Sequence, residues 1–212
     1  MAPGDLIQMT LKLPQGEFKA YLFDCDGTIC DSMPLHYIAW QKVLSEWGCH
    51  FEEELFYAWG GMPVVEIIQS LNQRHGLAMP VADIQRRKEE MFYAHLPQMK
   101  AVPEVLQHIE AQHGQIPFAV VSGSTHDSVR ASLTTLNLIN RFKTFVCAGD
   151  YSNSKPHPEP YLIAADRLGV KPEHCLVFED TEMGIDSARA AGMASVKVPA
   201  PWERRAFAEA IL

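Results

Sequence analysis

Two aspartates that follow a short apolar stretch are the residues of this chain best suited by type and spacing to do chemistry. Asp24 and Asp26 come after the stretch 18–23 and before Gly27. Side chains alternate along a strand, so an extended backbone would point both carboxylates the same way. Two adjacent negative charges repel, which favours a cation between them or a proton on one of them. The pair therefore indicates a chemical site, with a solvated surface turn as the alternative.

A small-residue turn follows a second apolar stretch. Ser122 and Gly123 come after residues 117–121 and before a helical pattern. The start of a helix presents backbone N–H groups, which can bind an anion. The alternative is a plain helix cap, because Ser124 and Asp127 have the spacing of a capping box.

A lysine and a second pair of acids follow the next two apolar stretches. Lys155 precedes Pro156 and Pro158, and these prolines would stiffen the backbone that aims its ammonium group. An exposed lysine before a helix is the alternative. Glu179 and Asp180 end the following stretch, where adjacent acids can bind a hard cation or complement the helix dipole.

Taken together, these residues match the needs of phosphoryl transfer. Mg²⁺ takes oxygen ligands and keeps waters that an anionic oxygen can replace. A lysine and an N–H-rich turn supply further positive potential for the phosphoryl oxygens, while a carboxylate attacks in line.

Five apolar stretches separated by helical patterns must position these residues. Continuous apolar runs are typical of parallel strands buried on both faces, and their alternation with helices predicts an α/β fold. The predicted strands are 18–23, 117–121, 142–148, 175–178 and 194–198, and the helices between the later ones are 127–136, 158–168 and 181–191.

The interval between the first two strands is much longer than a crossover requires. It shows helical patterns throughout, at 35–47, 51–59, 63–75 and 81–96. We predict a helical cap domain at 34–97, inserted into a core domain formed by 16–33 and 98–212. Ligands of open α/β sheets lie beyond the carboxyl ends of the strands. The insertion would therefore cover the site as a lid, with hinges near 31–34 and 98–100.

Composition limits the classes of protein. The chain has 212 residues, 47% of them hydrophobic and 21% charged, as expected for a packed globule. A net charge of −8 disfavours binding to nucleic acid or an anionic membrane. The five cysteines form no C-x-x-C pair, no signal peptide is visible, and no apolar run approaches membrane-spanning length. We expect a cytoplasmic monomer that binds a small molecule.

The motifs, in their order and spacing, resemble the haloacid dehalogenase superfamily of phosphatases. They are Asp24-Cys25-Asp26-Gly27-Thr28, Ser122-Gly123, Lys155 before Pro-x-Pro, and the segment 178–184. The match spans 18–198. The insertion, with Asp31 and then 36–40, resembles the cap of the β-phosphoglucomutase-like branch. The resemblance implies a Rossmann-like parallel sheet with a small helical cap.

The resemblance also implies roles for the motif residues. Asp24 would be the nucleophile that forms an aspartyl-phosphate, and Asp26 would protonate the leaving oxygen and then activate water. The implied Mg²⁺ ligands are Asp24, the backbone carbonyl of Asp26, Glu179 and Asp180, and the implied phosphate-binding residues are Ser122, Gly123 and Lys155.

The implied substrate-binding residues lie in the cap. Lys88 resembles a lysine that faces the site in the family, and His36 and Gly60 would also lie near the substrate. The alternatives are a solvated basic face, a helix-packing histidine and a plain turn. Residues 60–70 contain no Arg or Lys, which disfavours a phosphomutase because its bisphosphate intermediate needs a second anion site.

Three functions follow from this pattern. The leading one is a Mg²⁺-dependent phosphatase for small phosphorylated sugars or sugar acids, similar to fructose-1-phosphatases and 6-phosphogluconate phosphatases. The second is a β-phosphoglucomutase-like enzyme. The third is a non-enzymatic phospho-switch like a response-regulator receiver, although receivers lack such a helical insertion.

Overall fold

The computed structural model describes residues 11–60, 62–200 and 203 of the chain. Its sheet has five strands in the order β3-β2-β1-β4-β5, and all neighbouring pairs are parallel. The strands are β1 (Ala20–Phe23), β2 (Phe118–Val121), β3 (Thr144–Val146), β4 (Cys175–Glu179) and β5 (Ala194–Lys197). Each predicted apolar stretch coincides with one strand, although β4 extends one residue beyond its predicted end, so the predicted α/β fold with a parallel sheet is confirmed.

Four helices occupy the predicted insertion, although the first begins one residue before it: α1 (Met33–Ser45), α2 (Glu53–Ala58), α3 (Val64–His75) and α4 (Val81–His95). The remaining ones are α5 (Pro103–Gln112), α6 (His126–Thr135), α7 (Glu159–Leu168) and α8 (Glu182–Ala190), with short 3₁₀ turns at Leu96–Gln98, Ile139–Arg141 and Pro172–His174. The sequence reasoning missed α5. Among the described residues, no helix combines the length and apolar character needed to cross a bilayer.

The sheet is buried on both faces. Tyr21, Phe23 and Phe178 pack on one face, and the rings of Phe23 and Phe178 stack with centroids 4.7 Å apart. Ala20 and Leu22 belong to the apolar cluster on the other face. Alternate residues of β1 thus enter opposite clusters, which is why the strand reads as a continuous apolar run.

The inserted helices share an apolar cluster of their own. It contains Trp40, Val43, Leu44, Cys49, Phe51, Phe56, Ile67, Ile68, Leu71, Met79 and Ile84, and all these residues lie within the predicted cap. Leu35 and Ala39 of α1 and Phe92 of α4 pack instead into the core cluster. The separate cluster supports the division into 34–97 and a core of 16–33 and 98–212, which stays a proposal.

The chain leaves and re-enters the core at adjacent points. The backbone N–H of Asp31 donates to the carbonyl of Lys100 over 2.9 Å. β1, β2 and β4 end at Phe23, Val121 and Glu179. Because the strands are parallel, the residues that follow all lie at one edge of the sheet, next to these crossings.

Candidate active site

Lys155 joins the ends of three strands. Its Nζ donates to Oδ1 of Asp24 over 2.8 Å, to Oε1 of Glu179 over 2.6 Å and to the carbonyl of Val121 over 3.0 Å. The lysine is buried, with 8% of its surface exposed. Burial opposes its charge, but Asp24 and Glu179 raise the pKa of Lys155 well above its ordinary value, so it stays protonated.

Glu179 is held from several directions. Oε1 also accepts from the hydroxyl of Tyr161 over 3.2 Å, and Oε2 accepts from both the backbone N–H and the hydroxyl of Thr181 over 2.9 Å. Thr181 caps α8, because its hydroxyl accepts from the N–H of Gly184 over 3.1 Å. A Cβ on Gly184 would collide with the carboxylate of Glu179, so only glycine fits there.

The loop after β1 is shaped around Asp180. Gly27 has φ +89°, and a Cβ at this position would collide with the Asp180 carboxylate. The hydroxyl of Thr28 donates to Oδ1 of Asp180 over 3.2 Å. Packing around Asp180 therefore explains the Gly-Thr pair of the motif. Glycine tolerates the positive φ and leaves room for the Asp180 carboxylate.

Three carboxylates converge at this edge of the sheet. Asp24, Glu179 and Asp180 each offer an oxygen within 4.8 Å of the others. Burial and Glu179 raise the pKa of Asp24 to about 7 in spite of Lys155. Burial, Glu179 and Asp24 raise the pKa of Asp180 well above its ordinary value. Such crowded, desolvated oxygens suit a hard divalent cation, which would neutralise their repulsion.

Asp26 is bound by donors from three segments of the chain. Oδ1 accepts from the hydroxyl of Ser32 over 2.6 Å and lies 3.1 Å from Nε2 of His36, while Oδ2 accepts from the hydroxyl of Ser124 over 2.7 Å. Burial alone would raise the pKa of Asp26. The bonds to His36, Ser32 and Ser124 outweigh burial and hold the pKa below its ordinary value, so Asp26 is ionised.

His36 links the cap to this acid. Its ring stacks on Phe92 with centroids 4.0 Å apart and an interplanar angle of 13°. Burial and the nearby Lys88 lower the pKa of His36 although Asp26 acts to raise it, so the ring is neutral near pH 7. The contact with Asp26 is then a hydrogen bond from Nε2–H, and Nδ1 is buried with no hydrogen-bond partner among the described residues.

The turn after β2 differs from the predicted capping box. Thr125, rather than Ser124, caps α6, and its hydroxyl accepts from the N–H of Ser128 over 3.3 Å. Ser124 turns instead toward Asp26. Ser122 is buried, and its hydroxyl accepts from the N–H of Ser124 over 3.0 Å. Gly123 is exposed beside it.

A cleft of about 280 Å³ lies between the sheet edge and the inserted helices. On the core side its lining includes Asp24, Asp26, Ser122, Gly123, Ser124, Tyr151, Lys155, Glu179 and Thr181, and on the cap side it includes His36, Trp40, Phe56, Trp59, Gly60, Met62, Gln85, Lys88 and Glu89. Gly60 comes close to the core, since a Cβ there would lie 3.6 Å from Cγ2 of Thr181. The structure thus brings the sequence-predicted site residues into one region, with Asp180 joined to it through Asp24 and Glu179.

The sequence reasoning missed several residues of the site. Ser32 and Ser124 bind Asp26, Tyr161 binds Glu179, and Thr28 binds Asp180. Ser32 stands in the predicted hinge and Thr28 in the first motif, so position alone could have indicated them. Tyr161 gave no such signal, because it reads as an apolar residue of a core helix.

The chain belongs to the haloacid dehalogenase-like hydrolases. The model of that enzyme family matches residues 21–198, which include the motif residues of the site. The family resemblance inferred from the sequence is therefore confirmed.

Known proteins with similar sequences or structures are consistent with this family assignment. Fructose-1-phosphate phosphatase YqaB of Escherichia coli (strain K12) is 34% identical over 181 residues, covering 85% of this chain and 96% of that protein. The structure of CbbY from Rhodobacter sphaeroides in complex with phosphate is 26% identical, covers 88% of each chain and superposes with a TM-score of 0.78. A β-phosphoglucomutase from Clostridium difficile is 24% identical over 89% of this chain and 87% of its own, with a TM-score of 0.77, and supports the shared fold alone.

Proposed function

We propose that this protein is a Mg²⁺-dependent phosphatase that hydrolyses small phosphorylated sugars or sugar acids through an aspartyl-phosphate at Asp24. The observation that carries the proposal is the convergence of Asp24, Lys155 and Asp180 at one end of the cleft. A nucleophilic carboxylate, a fixed cation and a cluster of metal-binding oxygens are the parts that phosphoryl transfer requires.

In the first step, a carboxylate oxygen of Asp24 attacks the phosphorus and the bond to the sugar oxygen breaks. In this proposal Lys155 holds Asp24 in place and stabilises the negative charge of the phosphoryl oxygens, and Ser122 and Gly123, which line the cleft, bind those oxygens. Asp26 gives its proton to the leaving oxygen, so that a neutral alcohol departs.

In the second step, Asp26 accepts a proton from a water molecule, which attacks the phosphorus and releases Asp24 as a carboxylate. Mg²⁺ would be held by Asp24, Asp180 and the backbone carbonyl of Asp26, and it would neutralise charge on the phosphoryl oxygens. Both oxygens of Glu179 are already bonded to the protein, so Glu179 would share them with the metal or act through a water.

The first step requires protonated Asp26, whereas the acid is ionised with the cleft as it stands. A phosphate group that enters the cleft adds negative charge near Asp26, and a like charge raises the pKa of a carboxyl group. Substrate binding and proton uptake by Asp26 are therefore coupled in this mechanism. Asp26 becomes ionised when it protonates the leaving oxygen, and the hydrogen bonds from His36, Ser32 and Ser124 stabilise that state for the second step.

The substrate class rests on the cleft and on the relatives. The cap side of the cleft combines the rings of Trp59 and Phe56 with polar groups of His36, Gln85 and Lys88. Such a lining suits a small hydroxylated molecule. The curated relative that acts on fructose 1-phosphate, as its name states, points to the same class.

A phosphomutase is the second candidate because a β-phosphoglucomutase shares the fold. Its bisphosphate intermediate needs a second anion site, and residues 60–70 contain no Arg or Lys. Incubation with β-glucose 1-phosphate and a bisphosphate primer separates the two. Glucose 6-phosphate without free phosphate would indicate the mutase, and free phosphate would support the phosphatase. A stable aspartyl-phosphate without turnover would indicate the phospho-switch.

We also propose that the protein acts as a monomer in the cytoplasm. All five cysteines are buried free thiols, as suits a reducing compartment.

The proposed function as a whole is tested by phosphate release from a panel of phosphorylated metabolites. We expect turnover of sugar phosphates in Mg²⁺ and its loss in excess EDTA.

A further inference from the structure

The cap side of the cleft has a polar face on one helix. Gln85, Lys88 and Glu89 of α4 line the cleft, and their spacing places them on the same side of the helix. Lys88 is the member of this set that the sequence singled out. Glu89 has no role in the chemistry proposed above, although the residue lines the same cleft.

One carboxylate oxygen of Glu89 has no hydrogen-bond partner in the part of the chain that the structure describes. Oε1 lies 3.3 Å from Nζ of Lys88, whereas Oε2 is buried and has no hydrogen bond among the described residues. A buried carboxylate oxygen is costly to leave unpaired. Because Glu89 lines the cleft, a ligand can supply the missing donor, and a carboxylate accepts well from a hydroxyl group.

Glu89 lines the same cleft as His36, the residue that contacts the leaving-group acid Asp26. The ring of His36 stacks on Phe92 with centroids 4.0 Å apart, and Nζ of Lys88, which lies 3.3 Å from Oε1 of Glu89, is 5.5 Å from the centroid of the same Phe92 ring. Nε2 of His36 lies 3.1 Å from Asp26. The part of a substrate that extends past the scissile bond toward the cap would therefore approach Glu89.

Among the residues that the structure describes, the cleft offers no spare cation for a second anionic group. Among the described lining residues the only basic side chains besides His36 are Lys88 and Lys155, and there is no arginine. Lys155 is bonded to Asp24 and Glu179. Lys88 is paired with Glu89.

We propose that Glu89 selects substrates whose remainder is neutral and rich in hydroxyl groups, and excludes those with a second anionic group, such as sugar acids and bisphosphates. The inference rests on the proposed phosphatase function and narrows it. Oε2 of Glu89 accepts from a hydroxyl of the correct substrate. A carboxylate or phosphate in the same place would face a like charge that only Lys88 offsets.

A matched pair of substrates tests this selection. Sorbitol 6-phosphate and 6-phosphogluconate differ only in whether C1 is a neutral alcohol or a carboxylate. kcat/KM is measured for both with the wild type, Glu89→Gln and Glu90→Gln. Glu90→Gln is the control because it removes the same charge from the adjacent position. Glu90 itself is exposed and pairs with Arg86 over 2.6 Å outside the cleft.

We expect the wild type to prefer sorbitol 6-phosphate, Glu89→Gln to shift that preference toward 6-phosphogluconate by about tenfold or more, and Glu90→Gln to leave it unchanged. A wild-type preference for 6-phosphogluconate, or the same ratio in a folded Glu89→Gln, would overturn the inference. p-Nitrophenyl phosphate serves as a reporter without a sugar. If the wild type hydrolyses it but neither hexose derivative, the selection is wrong. If it hydrolyses none of the three, the phosphatase proposal itself fails.

Discussion

Nζ of Lys155 lies 2.8 Å from Oδ1 of Asp24, although the two residues are 131 positions apart in the chain. This contact joins the end of the first strand to the loop after the third, and through Glu179 to the end of the fourth. The cluster holds a protonated lysine among carboxylates that have lost most of their hydration. We therefore expect this cation both to stabilise the fold and to hold the proposed nucleophile in place.

Replacement of Lys155 by methionine tests this double role. The change leaves Asp24 and Glu179 buried without their cation, and we expect a loss of about 3 kcal/mol in the free energy of unfolding. Phosphate release should also fall to background. Urea unfolding and turnover assays measure the two effects. Lys143→Met, at an exposed position, is the control and should behave like the wild type.

Mg²⁺ should stabilise the folded protein. Asp24, Glu179 and Asp180 offer oxygens within 4.8 Å of one another, and a ligand that binds only the native state raises its stability. Saturating Mg²⁺ should raise the Tm by ~5 °C or more. Asp180→Asn should remove most of this increase, whereas Asp186→Asn, an exposed acid on α8, should keep it. Equal increases in the two variants would count against the proposed ligands.

Ser124 should act as a positioning residue for Asp26. Its hydroxyl donates to Oδ2 of Asp26 over 2.7 Å, and loss of a hydrogen bond to a charged group should lower kcat/KM about tenfold in Ser124→Ala. The lost donor favoured ionised Asp26, so the pKa of Asp26 should rise. The alkaline limb of the plot of kcat against pH should therefore move to higher pH. Ser152→Ala, at an exposed position, is the control. An unshifted limb would mean that Ser124 has only a structural role.

The sequence predicted the strands, and the meeting of the motif acids at one edge of the sheet, because both follow from local patterns. A strand buried on both faces reads as an apolar run, and the motif acids stand directly after such runs. Helix α5 also carried a signal, since Pro103 begins it and Val105 and Ile109 face the core. The role of Ser124 could not be predicted, because the competition between capping α6 and binding Asp26 is decided by a contact across 98 positions.

Asp150 should stabilise the loop that carries Lys155. Its Oδ2 lies 3.0 Å from Nε2 of His126 and accepts from Nη1 of Arg167 over 3.1 Å and from the N–H of Cys147 over 3.2 Å. Burial opposes ionisation, but these bonds hold the pKa of Asp150 below its ordinary value of 3.8.

The stabilisation by Asp150 should depend on pH with a defined sign. A depressed pKa contributes stability that is fully present above the ordinary value and is lost as the pH falls through the folded-state value. Asp150→Asn should therefore lose about 1 kcal/mol at pH 7 relative to the wild type, and the difference should shrink below about pH 4. Urea unfolding of both proteins at several pH values measures it. A difference that grows with acid would contradict this account.

The most direct measurement for the whole account is phosphate release by Asp24→Asn in saturating Mg²⁺, with circular dichroism to verify folding. Asp127→Asn, which removes an exposed acid from α6, is the matched control. We predict a folded Asp24→Asn protein with no release above background and a control equal to the wild type, because the amide cannot form the phosphoryl-enzyme. Turnover by Asp24→Asn at a rate close to that of the wild type would contradict the assignment of Asp24 as the nucleophile.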